Sequence, residues 1–183
     1  MSAYKVTIDY GFIAELEGGN ILSGYVPDPE NSQSGVTVGV GFDLGARNEH
    51  DLLMLALSPD FIQRLSPYLG LKGKEAEAYL AAKPLTITEA QANALNSGAK
   101  NKMISTLVER FSEDSSTAFH EIPAKWQTVI ASVEFQYGSV QTRCPTFWRC
   151  VTSLDWSAAI RELRNFGDRY PSRRHKEADY ALA

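Results

Sequence analysis

Hydrophobic residues recur along this chain with two different periods, and the change of period divides it. Phe12, Ile13 and Leu16 fall at helical spacing and predict a first helix across Asp9–Asn20. A loop follows, built on Pro27, Asp28, Pro29, Asn31 and Ser34, the strongest breakers in the chain. Beyond it, Val36, Val38, Val40 and Phe42 alternate with Thr37, Gly39 and Gly41, the period-2 pattern of a strand with two unlike faces. From about Asp51 onward the pattern is helical. Ser58-Pro59 reads as a cap with proline at the first helical position. Thr88-Glu89-Ala90-Gln91 fits a capping box that opens a long helix reaching Phe111. Pro123 opens another, with Trp126, Val129, Ile130, Val133 and Tyr137 on its apolar stripe and Gly138 as its stop. Asp155 caps a helix bearing Ile160, Leu163 and Phe166, and Ser172 caps the last one. The class is α+β: one helix, a small β lobe over about 1–70, and a larger mainly α-helical lobe over about 71–183.

A chain of 183 residues suits a single domain with a substantial core. No apolar run approaches the roughly 20 residues that span a bilayer, so membrane insertion is not expected. The opening MSAYKVTIDYGF lacks the basic and apolar stretches of a signal peptide, so action outside the cytoplasm requires release or delivery. The net charge of −4 argues against a nucleic-acid partner, but the charge is uneven. From Arg143 to Lys176 eight cations stand against Asp155, Glu162 and Asp168, a surplus of five. That end suits an anionic polymer, or is a solvated face on terminal helices. Cys144 and Cys150 fit no zinc or redox motif; two structural thiols, or a disulfide formed after export, are the alternatives. His50, His120 and His175 are dispersed and form no metal-binding pair, and no phosphate-binding glycine loop is present, so no metal or cofactor is expected.

The stretch Glu15–Gly45 holds the chemistry. Cutting a glycosidic bond takes a carboxylic acid to protonate the leaving oxygen and a second group to activate water or attack the anomeric carbon. Glu17, at a helix end beside Gly18, suits the acid, because partial burial favours the protonated form a donor needs. Glu15 is its rival: the two point roughly 200° apart, so only one faces a given cleft, and geometry alone does not choose. Thr37 has a hydroxyl that both donates and accepts, and so suits a water-placing role. Asp43 shares the parity of Thr37 but stands six residues on, about 20 Å if extended. It joins Thr37 only if the chain bends, which Gly39, Gly41 and Gly45 permit. Asp28 competes as the base, although its flanking prolines mark it as a turn residue.

At these residues the chain resembles the phage-type lysozymes, and more closely the muramidase domain of the pesticin branch. The carriers are Glu17-Gly18, Tyr25, Thr37-Val38-Gly39-Val40-Gly41, Leu85-Thr86 with Gln91, Ala94 and Leu95, Phe135-Gln136-Tyr137-Gly138, Trp156 with Ala159 and Leu163, and Arg173-Arg174 with Glu177-Ala178. Phage lysozymes commonly follow the strand with Gly-His, whereas this chain has Gly41-Phe42-Asp43-Leu44-Gly45, similar to the pesticin ending. The resemblance implies a lysozyme-like catalytic domain over 1–183 with a cleft between the lobes. It implies Glu17 as acid rather than Glu15, Asp43 as base rather than Asp28, and Thr37 beside it. Tyr25 and Gln136 are implied substrate contacts. The implied activity is inverting hydrolysis of the β-1,4 bond between N-acetylmuramic acid and N-acetylglucosamine in peptidoglycan, by a monomer. A lysozyme-like module that binds glycan or protein without cutting is the alternative. Phage endolysin, bacteriocin domain and secreted effector remain open as roles, and a cognate immunity protein is compatible with the last two.

Overall fold

A computed structural model describes residues 6–183. Residues 1–5, on which the reading of a missing signal peptide partly rests, lie outside the described residues. By its contacts the chain divides into two units, residues 10–99 and residues 100–183 with the segment ending at Asp9. The division expected near residue 70 falls instead after Ala99. The reason is packing: Ala76, Leu85, Ile87, Ala92 and Leu95 share one core with Val36, Val38, Phe42, Leu44 and Phe61.

In the first unit, α1 (Tyr10–Leu16) leads to β1 (Ile21–Tyr25), β2 (Thr37–Gly39) and β3 (Phe42–Asp43), a three-stranded antiparallel sheet in the order β1-β2-β3. The strand expected to run from Val36 through Phe42 is thus a hairpin. Gly39 and Gly41 turn it, with φ of +61° and +73°, a backbone region that glycine enters without steric cost. The turn sets Val38 opposite Phe42, so both stay in the core, while Val40 sits at the tip and is half-buried. Three helices follow, α2 (Glu49–Leu53), α3 (Pro59–Leu65) and α4 (Gly73–Ala82). The next segment covers the outer edge of β1: Gly24 N–H donates to Leu85 O and Ile87 N–H to Leu22 O, each at 2.8 Å.

Helix α5 (Glu89–Asp114) starts on the expected capping box. Thr88 N–H donates to Gln91 Oε1 at 3.0 Å and Gln91 N–H to Thr88 Oγ1 at 3.2 Å. It runs three residues beyond Phe111. The second unit contains α6 (Ala124–Tyr137), α7 (Val140–Arg143), α8 (Pro145–Thr152), α9 (Trp156–Arg164) and α10 (Pro171–Leu182). Gly138, at φ +77°, closes α6, and Asp155 caps α9 by accepting from Ala158 N–H at 2.9 Å. Helix α10 begins one residue before the expected cap Ser172: Pro171 takes its first turn, where a missing N–H costs nothing, and Tyr170 is the cap. Its core gathers Phe111, Phe119, Trp126, Ile130, Phe147, Trp148 and Leu163, with Trp126 stacked on Trp156 at 4.8 Å. Among the described residues, no helix is long and apolar enough to cross a membrane.

Candidate active site

The first helix ends earlier than its pattern suggests, and the way it ends places Glu17. Gly19 N–H donates to Ala14 O at 2.7 Å and Gly18 N–H to Glu15 O at 3.3 Å. These two bonds make a Schellman motif with Glu17 as its C-cap, and Gly18 (φ +99°) supplies the left-handed residue the motif needs. Glu17 is half-buried, whereas Glu15, on the opposite side of the turn, is exposed. The buried stripe of α1 is Ile13 and Ala14 rather than Phe12, Ile13 and Leu16.

The hairpin brings Asp43 back to Thr37. The two are direct partners across β2 and β3, and Tyr25 is the partner of Thr37 across β1 and β2. Tyr25, Thr37 and Asp43 therefore form one row across the sheet, with side chains on a common face. Gly39 and Gly41 make the bend; Gly45, also expected to help it, does something else. Gly35 and Gly45 meet backbone to backbone. A Cβ on Gly45 would lie 2.4 Å from Leu71 O and 2.6 Å from Gly35 Cα, so neither position has room for a side chain. That contact delivers two amides to one oxygen: Asp43 Oδ1 accepts from Gly35 N–H at 3.0 Å and from Gly45 N–H at 2.8 Å. The Thr37 hydroxyl, buried, donates to Gly35 O at 3.1 Å. One peptide residue, Gly35, is thus bonded to both.

Asp28 is exposed and sits in a loop turn at φ +40°. Its carbonyl accepts from Asn31 and Ser32 N–H, and its carboxylate accepts from Asn31 Nδ2 at 3.0 Å. This is the turn role its flanking prolines predict.

Gln136 belongs to the second unit and is bound into a charged network there. Its Oε1 accepts from Arg174 Nη2, so its Nε2 amide is what remains for a ligand. Arg174 and Glu177 are buried and ion-paired with each other. Asp168 Oδ2 accepts from Tyr137 Oη at 2.6 Å and Arg174 Nε at 2.9 Å. Burial alone raises the Asp168 carboxyl, but hydrogen bonds from Tyr137, the Tyr170 amide and Arg174, with the Arg174 charge, outweigh it and hold it below the usual carboxylate value. For Arg174 burial lowers the pKa, and Glu177, Asp168 and Tyr137 more than reverse it. The basic surplus read between 143 and 176 is smaller as a surface property, because Arg173 and Arg174 pair with Glu177, and Arg164 with Asp179.

Cys144 and Cys150 are both free thiols. Cys144 is the cap of α8 and Cys150 lies within it, so about 9 Å of rise separates them, beyond the roughly 7 Å Cα separation a disulfide spans. Burial pushes the Cys144 thiol up to about 11, which keeps it an unreactive core group.

Sequence reasoning missed Gly35, whose steric role depends on Leu71 O far along the chain. It also missed a polar stripe on α5, Glu89, Asn93 and Asn96, spaced i, i+4, i+7 and joined to Asn20; that spacing was readable.

A search of curated proteins returns no match to this chain. A family model described as Pesticin, bacterial toxin homologue of phage lysozyme, C-terminal, matches residues 7–157. The match spans α1, the sheet with its Thr37–Asp43 pair, and the helices through α8; α10, with Arg174 and Glu177, lies beyond it. With most of its length matched and an α+β lysozyme-like arrangement of elements, the chain belongs to the Pesticin family of phage-lysozyme homologues.

Proposed function

We propose that this protein is a peptidoglycan hydrolase, a muramidase cutting the β-1,4 bond between N-acetylmuramic acid and N-acetylglucosamine. The observation that carries this reading is the pairing of Thr37 with Asp43 across β2 and β3, with Gly35 hydrogen-bonded to both. The Thr37 hydroxyl gives its only proton to Gly35 O, so toward a water its oxygen acts as an acceptor. Asp43 takes its two amide bonds on Oδ1, which leaves Oδ2 for the same water. A water between these acceptors donates one hydrogen to each and turns a lone pair toward the anomeric carbon. As the C–O bond to the leaving sugar breaks, Oδ2 removes a proton from that water and Glu17 protonates the leaving oxygen.

This is single displacement with inversion, which takes carboxyl groups about 6.5–9.5 Å apart. Tyr25, in the same row, offers a ring for a sugar to lie against. Gln136 is a second substrate contact through its Nε2, on the strength of the family resemblance. No metal or cofactor enters these steps. The substrate is the cell wall, so action follows release or delivery to it. If the chain serves as a bacteriocin or effector, a cognate immunity protein is the partner that role calls for.

The test is release of reducing ends from purified peptidoglycan. The wild type is expected to release them with inverted anomeric configuration. Glu17→Gln should lower the rate by about 10²–10⁴-fold, the usual contribution of a positioned proton donor. Glu15→Gln and Asp28→Asn should stay near wild type. Full activity in Glu17→Gln would refute the acid assignment. Binding of peptidoglycan by the wild type without release would make the chain a binding module instead.

A further inference from the structure

We propose that Asn96, acting through Asn20, is a positioning residue that holds the turn bearing Glu17 against the hairpin bearing Thr37 and Asp43. This rests on the muramidase reading and adds to it how the acid and the water-placing pair keep their spacing. The two arms come from separate stretches of sequence: Glu17 ends α1, and the pair sits on β2 and β3.

Asn20 follows the Schellman glycines directly. Its Nδ2 donates to Glu89 Oε2 at 2.7 Å and to Asn93 Oδ1 at 3.0 Å, while its Oδ1 accepts from Asn96 Nδ2 at 3.0 Å. Three residues of one α5 stripe therefore grip a single side chain. Asn96 is buried, with 6% of its surface exposed, and its other end faces the hairpin: a Cβ on Gly39 would lie 3.4 Å from Asn96 Oδ1. One carboxamide is thus bonded to the acid's arm through Asn20 and lies beside the base's arm at Gly39. The stripe is itself anchored, by the Thr88–Gln91 capping box and by the Ile87–Leu22 bond to β1. Turning the buried Asn96 carboxamide would break its bond to Asn20 and leave a buried donor unpaired, so it resists rotation.

A misplacement of about 1 Å in a catalytic group costs up to 10²-fold in rate. Asn20→Ala and Asn96→Ala should accordingly lose about 10–100-fold in kcat on soluble peptidoglycan fragments, with KM within about two-fold, because the sugar contacts are untouched. A nitrophenyl glycoside of the peptidoglycan disaccharide, whose leaving group needs no proton, should be cut nearly as fast as by wild type in Asn20→Ala, which releases only the acid's arm. Asn96→Ala, which releases both arms, should lose on it as well. Asn20→Asp alone should fail against the Glu89 carboxylate, and adding Glu89→Gln should restore it by supplying a donor. Equal losses on both substrates in Asn20→Ala, unchanged kcat, or no rescue in the double variant would overturn the proposal.

Hydrogen exchange gives a readout independent of catalysis. In folded Asn96→Ala the Gly18 and Gly19 amides and those of the Gly39–Gly41 turn should exchange faster together. If only one group accelerates, the link between the arms is absent. If the wild type proves inactive but both accelerate, the muramidase reading falls and the link stands.

Discussion

Thr37 carries more than its abundance in strands suggests. It is buried, directly opposite Asp43, and its hydroxyl proton is committed to Gly35 O. Thr37→Val keeps the shape and the β-branch but removes the acceptor a water would meet. It also leaves the Gly35 carbonyl without its partner, a cost of about 1–3 kcal/mol in a buried setting. Thr37→Ser keeps the hydroxyl and loses a methyl. Activity on purified peptidoglycan should fall by about 10²-fold in the valine variant, comparable to losing one preorganised hydrogen-bonding group in other sites. It should stay within about ten-fold of wild type in the serine variant, even if its thermal midpoint drops. A valine variant with wild-type kcat would remove Thr37 from the reaction.

At the scale of elements, two glycines in one hairpin system serve different ends, and substitution separates them. Gly41 has φ +73° and nothing within 4 Å of a built Cβ, so Gly41→Ala suffers backbone strain alone, about 1–2 kcal/mol. A Cβ on Gly45 would lie 2.4 Å from Leu71 O and 2.6 Å from Gly35 Cα, so Gly45→Ala forces apart the contact that aims two amides at Asp43. Urea unfolding should show both variants destabilised, Gly45→Ala by about 1–3 kcal/mol as expected of overpacking. Activity per folded molecule should fall sharply only in Gly45→Ala. The same contrast explains what was legible in the sequence. The capping box at Thr88, the stop at Gly138 and the cap at Asp155 are local, and residues a few positions apart determine them. The period-2 pattern marked the buried face of Val36, Val38 and Phe42 but hid the hairpin, because alternation looks alike in one strand and in two that fold back. Glu17, Thr37 and Asp43 were recognisable as residue types, and Glu17's setting as a C-cap follows from Gly18 beside it. The grip of Gly35 on both Thr37 and Asp43, and of Asn20 by α5, depends on partners distant in sequence.

Across the molecule, charge is organised differently from its linear order. The surplus of five between Arg143 and Lys176 falls to three when Glu177 and Asp179 are included. Those two acids pair with Arg173, Arg174 and Arg164 of the same segment. Electrostatics here acts first on the stability of the second unit, and Asp168 is where pH reaches it. Its carboxyl is held below its ordinary value of 3.8 in the folded chain. A group whose folded pKa is depressed binds its proton more readily when unfolded, so it stabilises the fold above the unfolded value and ceases to as pH falls through the folded one. Asp168→Asn keeps an oxygen for Tyr137 and Arg174 but carries no charge at any pH. Urea midpoints should therefore show the variant weaker than wild type at neutral pH, with the gap constant down to about pH 5. Below 3.8 the gap should narrow and close as wild-type Asp168 takes up its proton, leaving buried Arg174 to rely on Glu177 in both proteins. A gap of the same size at acid and neutral pH would assign the loss to packing and hydrogen-bond geometry rather than to the charge of Asp168.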